Sequence, residues 1–316
     1  MTPTLRSILE QFPYWRSATM PAMLADTGRT RVVIGCGSSY NLALSIAAAL
    51  NLKGFPAIAV PAGEWLIRPD AYCPTAEVEV IALSRSGETT ETVAAARASR
   101  ARGQRVTAIT CAPGSALPAA SDTILEFDTH PAEGIVMTVS ASLMLLAGYA
   151  MAGESDGDRL AARAETLMTA FAALPIDSLA QRSHFVFLGG GTHYGVALEG
   201  ALKLQEMALC YTQGFHPGEY RHGPVSLVDE RTAVVLLYSA ETAADEAVLA
   251  AELQAKGALV LGIGGPGTLS LPVATPGIGA GAEMLPLLQL LGERYAAAKG
   301  LDTSAPRHLT KVVILP

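Results

Sequence analysis

Val32-Val33-Ile34-Gly35-Cys36-Gly37-Ser38-Ser39-Tyr40-Asn41 returns in altered form as Val186-Phe187-Leu188-Gly189-Gly190-Gly191-Thr192-His193-Tyr194-Gly195, 154 residues further along the chain. Each copy is an apolar run, a Gly-x-Gly turn, a hydroxyl residue and then a helical pattern. Gly35 matches Gly189, Gly37 matches Gly191, Ser38 matches Thr192 and Tyr40 matches Tyr194; Ala43 and Leu44 match Ala197 and Leu198. The chain reads as a tandem duplication of one α/β domain. Function is to be sought in the polar residues by which the two halves differ.

Outward from the first copy, residues 1–28 read as a helix and connector, with Leu5, Ile8 and Phe12 at helical spacing. β-rich runs follow at 31–34, 57–60, 78–83, 106–110 and 123–127, with helical patterns at 41–52, 88–102 and 138–152. Short apolar strands alternating with helices imply a parallel sheet covered on both faces. A Gly, Ser and Asp cluster at 153–158 reads as a linker. The plan then repeats: a helix at 159–171, a strand at 184–188, a helix at 196–210, a strand at 233–237, a helix at 243–256 and a strand at 259–263. The Gly/Pro-rich stretch 264–281 reads as loop, 284–299 as helix, and the tail ends in the strand-like run Val312–Leu315. The expected division is a connector at 1–28, domains at 29–153 and 154–300, and a tail at 301–316.

With 316 residues, half of them hydrophobic and 16% charged, the chain can bury two cores. Its apolar stretches break well before the roughly 18 residues of a membrane span, and residues 1–20 lack the apolar segment of a signal peptide. A net charge of −7 without a Lys/Arg block argues against a nucleic-acid partner. Cys36, Cys73, Cys111 and Cys210 show no C-x-x-C spacing and read as reduced thiols of a cytoplasmic protein, not as metal ligands.

Two turns of the first half suit an anion. Gly35-Cys36-Gly37-Ser38-Ser39 runs from a strand into a helix, whose N-terminal N–H groups and dipole favour negative charge. Ser84-Arg85-Ser86-Gly87-Glu88-Thr89 repeats the arrangement after the 78–83 strand. Both lie at the carboxyl ends of parallel strands, where ligands collect. Together they suit a phosphate monoester; taken singly, each could be an ordinary N-cap. A dinucleotide site is disfavoured, because Tyr40 stands where a third glycine is needed and no acidic residue closes the next strand.

The second half has lost the paired serines; its corresponding turn is Leu237-Tyr238-Ser239-Ala240-Glu241-Thr242. Its first helix instead carries Glu199, Lys203 and Glu206 at i, i+4 and i+7, on one face. Such a set could supply a general base. From spacing alone, a solvated ion-pair stripe is the commoner meaning. His222, before Gly223-Pro224, is placed as an acid/base group or as a structural histidine. Lys311, on a tail with Arg307 and His308, is a Schiff-base lysine if desolvated, or a surface lysine.

Jointly, and in order, these segments resemble the tandem sugar-isomerase (SIS) domain family, with two flavodoxin-like α/β domains. In particular they resemble the isomerase half of glutamine:fructose-6-phosphate amidotransferase and stand-alone amino-sugar-phosphate deaminase/isomerases. The segments are 36–41, 84–89, Ala197–Glu206, Gly218–Pro224 and Pro306–Lys311. The resemblance implies that Ser38, Ser39, Ser84, Ser86 and Thr89 hold a sugar phosphate, with Arg85 adding its backbone N–H. It implies Glu206 as the base moving a proton between C1 and C2, supported by Lys203 and Glu199. It implies His222 as the ring opener, reaching in from a neighbouring subunit of a homodimer, and Lys311 as the lysine that meets the ketose. No metal and no organic cofactor is implied.

Departures narrow the activity. No glutaminase domain is expected ahead of the matching region, since no Cys follows Met1. The stretch Glu133-Gly134-Ile135-Val136-Met137-Thr138-Val139-Ser140 lacks the lysine found there in the synthase. Arg85 stands in place of Gln, and Arg221 in place of Lys. The expected activity is conversion of a hexosamine 6-phosphate, glucosamine 6-phosphate foremost, to fructose 6-phosphate and ammonia. The alternatives are a plain aldose–ketose isomerase, a fructosamine-6-phosphate deglycase and a non-catalytic sugar-phosphate sensor.

Overall fold

The computed structural model of the chain describes residues 1–75, 77–275 and 277–315, with the side chains of Asp177 and Ala180 set aside. Strands β1 (Thr30–Gly35), β2 (Ala57–Pro61), β3 (Val78–Ser84), β4 (Arg105–Thr110) and β5 (Thr123–Glu126) form a parallel sheet in the order β2-β1-β3-β4-β5. The second half builds the same sheet from β6 (His184–Gly189), β7 (Tyr211–Phe215), β8 (Thr232–Leu237), β9 (Leu259–Ile263) and β10 (Leu269–Leu271), in the order β10-β9-β8-β6-β7. Counted from its own first strand, each sheet has the flavodoxin-like order 2-1-3-4-5. The interior strands are apolar on both faces: every residue of β8 is buried, as is all of β1 except Thr30. That is the requirement of a parallel sheet with helices on both sides.

Two strands escape the sequence pattern. β7 carries Thr212, Gln213 and Gly214 at a sheet edge, with Tyr211 exposed, so it has no apolar run. β10 has three residues and lies inside the 264–281 stretch read as loop. The tail run Val312–Leu315, read as strand-like, forms no strand. Val313, Ile314 and Leu315 are exposed, and the tail instead meets Thr90. The Thr90 N–H donates to the Val313 carbonyl (3.5 Å), and the Leu315 N–H donates to Thr90 Oγ1 (3.0 Å). The single N-terminal helix is two short ones, Pro3–Leu9 and Phe12–Ser17. The helices after β1 and β6 start earlier than their apolar periodicity, at Ser38 and Thr192. Each begins directly after a glycine, Gly37 at φ +55° or Gly191 at φ +53°, a conformation that glycine adopts without strain.

The expected two cores are one shared core with two outer clusters. Helices Ser38–Leu52, Val139–Met151, Thr192–Ala208 and Ala280–Ala298 contribute to a single cluster that joins Val33 and Ile81 of the first sheet to Phe185 and Val235 of the second. All of Val139–Met151 is buried, which an apolar surface on every side of the helix dictates. The separate clusters, around Trp65 and Val80 and around Tyr220 and Val234, pack on the outer sheet faces. Where Ser38–Leu52 meets Thr192–Ala208, a Cβ on Gly195 would come within 2.2 Å of the Asn41 carbonyl oxygen. The glycine therefore lets the two helix starts touch. Among the described residues, no helix is long and apolar enough to cross a membrane.

Candidate functional site

The two hydroxyl-rich turns lie side by side, because β1 and β3 are hydrogen-bonded neighbours. Ser38, Ser39 and Ser84 are buried at the strand ends. In the second turn, Ser84 Oγ donates to Thr89 Oγ1 (3.2 Å) and accepts from the Gly87 N–H (3.1 Å), and Ser86 Oγ accepts from the Glu88 N–H (3.2 Å). The loop is thus shaped by its own hydroxyls. Arg85 directs its guanidinium at the Gly134, Ile135 and Lys311 carbonyls.

The close approach at Gly195 carries Ser38 over the second-half helix. Lys203 Nζ lies 3.2 Å from Ser38 Oγ, 3.2 Å from Glu199 Oε1 and 2.5 Å from Glu206 Oε2. The Asn41 amide donates to Glu199 Oε2 (3.1 Å). Lys203 and Glu199 are 0% exposed, and Glu206 keeps 18% of its side chain accessible. The solvated stripe suggested by spacing is therefore overturned: the face is buried at the junction of the halves. Burial pushes Glu199 above the usual carboxylate range, against the pull of Lys203. Burial also works against the Lys203 charge, but Glu199 and Glu206 outweigh it and hold the ammonium above its ordinary pKa. Of the three groups, Glu206 is the one that a solvent-borne molecule can reach.

Lys311 Nζ donates to the Glu133 carbonyl (3.2 Å), which brings the tail lysine beside the first-half loop although the residue remains exposed. His222 is not brought together with Glu206. It is exposed on the turn after the short helix Pro217–Tyr220, and among the described residues its ring has no hydrogen-bond partner. Sequence reasoning gave no role to Asn41 or Glu133. Asn41 is the repeat partner of Gly195, and that pairing of a polar residue with a glycine was the available signal. The Glu133 carboxylate accepts from the Thr138 N–H (2.9 Å) and the Ser140 N–H (3.0 Å), anchoring the loop that meets the tail.

At the matching edge of the second sheet, the anion position is filled from within. The Ser239 N–H and the Thr242 hydroxyl both donate to the buried Glu246 carboxylate, each at 2.8 Å. A cavity of about 500 Å³ adjoins it, lined by Gly190, His193, Ser239 and Thr275 and by none of the Lys203 cluster. Burial drives the His193 imidazole down to about 4. An unfolded histidine titrates near 6.5, so the unfolded chain binds the extra proton between these values. The stability due to neutral His193 is complete above about 6.5 and is lost as pH falls toward 4. That difference is worth on the order of 3 kcal/mol. Denaturant titrations at pH 7 and pH 4 should show His193→Gln losing less stability across the interval than the parent; equal losses would contradict it.

The matching half-sites and the junction between them have counterparts among known proteins. The SIS domain model matches residues 23–152 and 178–268. The chain belongs to the SIS domain family. This SIS chain is 31% identical over 318 residues to the glutamine–fructose-6-phosphate aminotransferase (isomerizing) of Pyrobaculum aerophilum, covering 92% of this chain and 52% of that protein. It thus spans about half the length of the curated relatives it matches. The crystal structure of glucosamine-6-phosphate deaminase from Thermotoga maritima superimposes with a TM-score of 0.85 at 30% identity, covering 99% of this chain and 100% of that one. Tagatose-6-phosphate ketose/aldose isomerase from Escherichia coli shares the fold, with a TM-score of 0.76 at 24% identity over 99% and 90% of the two chains.

Proposed function

We propose that the chain is an amino-sugar-phosphate deaminase/isomerase that converts a hexosamine 6-phosphate, preferably glucosamine 6-phosphate, to fructose 6-phosphate and ammonia. The observation that carries this reading is the buried Glu199–Lys203–Glu206 cluster, closed against Ser38 at the edge of the hydroxyl-rich turns. A phosphate held by Ser38, Ser39, Ser84, Ser86 and Thr89 sets the sugar's carbonyl end against Glu206. Glu206 removes the C2 proton of the open-chain amino sugar and returns it to C1. The aldehyde becomes an alcohol and the amine becomes a C2 imine. Water adds to that imine, ammonia leaves and the ketose phosphate remains. Lys203 holds Glu206 in place and opposes the charge that develops on the substrate oxygen. Lys311 meets the ketose carbonyl from the tail. His222 opens the sugar ring from a second copy of the chain, in keeping with its exposure. The 30% identity to the Thermotoga maritima deaminase over both whole chains supports deamination.

The test is direct: purified protein is given glucosamine 6-phosphate, and ammonia and fructose 6-phosphate are measured together. Equal amounts of both are expected. Aldose–ketose interconversion without ammonia from any hexosamine 6-phosphate would replace deamination by plain isomerisation. Stabilisation by the sugar phosphate without any turnover would make the chain a sensor.

A further inference from the structure

We infer that Arg85 is a positioning residue that latches the C-terminal tail across the phosphate turn and thereby fixes where Lys311 sits. The inference rests on the proposed function only for what Lys311 does once placed. Arg85 follows the last residue of β3 and stands between Ser84 and Ser86, the two serines assigned to phosphate. Its side chain is 10% exposed, and the guanidinium meets three backbone carbonyls from two distant segments. Nη1 donates to the Gly134 oxygen (3.1 Å) and the Ile135 oxygen (2.9 Å), and Nη2 donates to the Lys311 oxygen (2.7 Å). The Lys311 amine returns the contact by donating to the Glu133 carbonyl (3.2 Å). Residue 311 is thus gripped at both ends, by its own carbonyl and by its side chain.

The geometry requires arginine. A planar guanidinium presents its donors in a fixed fork and can serve two segments at once, whereas an ammonium is a single point on a flexible stem. The charge is balanced nearby. The Glu133 carboxylate lies 4.0 Å from Nη1, and it is itself fixed by the N–H groups at the start of the helix Val139–Met151. Burial lowers the guanidinium's pKa, while the charges of Glu133 and Glu206 draw it back up. Around Lys311 the tail has few other holds: Arg307 to Lys311 are exposed, and beyond Lys311 the hydrogen bonds among the described residues are the two with Thr90 and one from the Thr310 hydroxyl to the Val312 carbonyl. The tail's strongest anchor therefore sits on the same loop that is to receive the substrate's phosphate.

The test uses Arg85→Gln and Arg85→Lys in the full chain. Hydrogen exchange of the tail amides 309–315, without ligand, should accelerate at least about tenfold in the glutamine variant and less in the lysine variant. Turnover of glucosamine 6-phosphate should lose about 10–100-fold in kcat with KM changed by less than about threefold, because a displaced group slows chemistry more than binding. In a Lys311→Ala background, Arg85→Gln should cost nothing more, since the two residues act as one unit. Unchanged tail exchange in Arg85→Gln overturns the latch whatever the kinetics show. A loosened tail with an undiminished kcat overturns the positioning of Lys311. If the parent protein releases no ammonia, that result counts against the proposed function, and the exchange comparison alone then decides the latch.

Discussion

Glu206→Gln should abolish turnover of glucosamine 6-phosphate while leaving the sugar phosphate bound. The expected loss in kcat is about 10²–10⁴-fold, the range a positioned general base supplies. The argument rests on accessibility within one cluster. Glu199, Lys203 and Glu206 share a helix face, but two of them are sealed and Glu206 alone keeps an open edge. Glutamine preserves the side chain's size and its oxygen toward Lys203 Nζ, so the cradle and the fold should survive. Its amide accepts no proton from carbon. Binding is therefore read separately: at a sugar phosphate concentration of about 100 times Kd, both proteins should gain close to 2.7 kcal/mol of stability. Retained turnover within about threefold of the parent would move the base elsewhere. Loss of turnover together with loss of this stabilisation would instead mean that Glu206 helps to hold the ligand.

How much of this site could be read from the chain depends on the range of the interactions. The turns at Gly35–Ser39 and Ser84–Thr89 were legible because a glycine turn feeding a helix start is a local device. The Glu199–Lys203–Glu206 face was legible as a face, through its i, i+4, i+7 spacing. Whether that face met solvent or protein was not legible. The deciding feature is the missing side chain at Gly195, which lets the Asn41 carbonyl approach and places Ser38 over Lys203. Nothing in the spacing of one helix records which helix will cross it. The Arg85 contacts are harder still, since its partners lie 49, 50 and 226 residues away and are backbone oxygens, which carry no residue signature. β7 was missed for a related reason: an edge strand needs no continuous apolar run. The tail misled in the opposite sense, because Val312–Leu315 has strand-like composition but no neighbouring strand to pair with.

Lys203→Met should destabilise the fold by about 3–5 kcal/mol, the cost of breaking a buried ion pair by removing one partner. Methionine fits the aliphatic stem but leaves Glu199 fully buried with the Asn41 amide and no cation. The penalty then belongs to the orphaned carboxylate, which can escape it by taking up a proton. Glu199 is already held above the usual carboxylate range by burial, and losing the ammonium raises it further. A carboxyl whose folded pKa exceeds its unfolded value contributes most stability at low pH and loses it as pH rises from the unfolded toward the folded value. The variant should therefore lie nearer the parent at pH 5 than at pH 8, a direction opposite to that expected from His193. Adding Glu199→Gln to Lys203→Met should restore most of the loss at pH 8, because a neutral amide replaces the stranded charge. Denaturant midpoints of the three proteins (parent, Lys203→Met and the double variant) at the two pH values check this. A loss that is independent of pH, and that Glu199→Gln does not relieve, would assign the cost to packing around the lysine stem rather than to the buried charge.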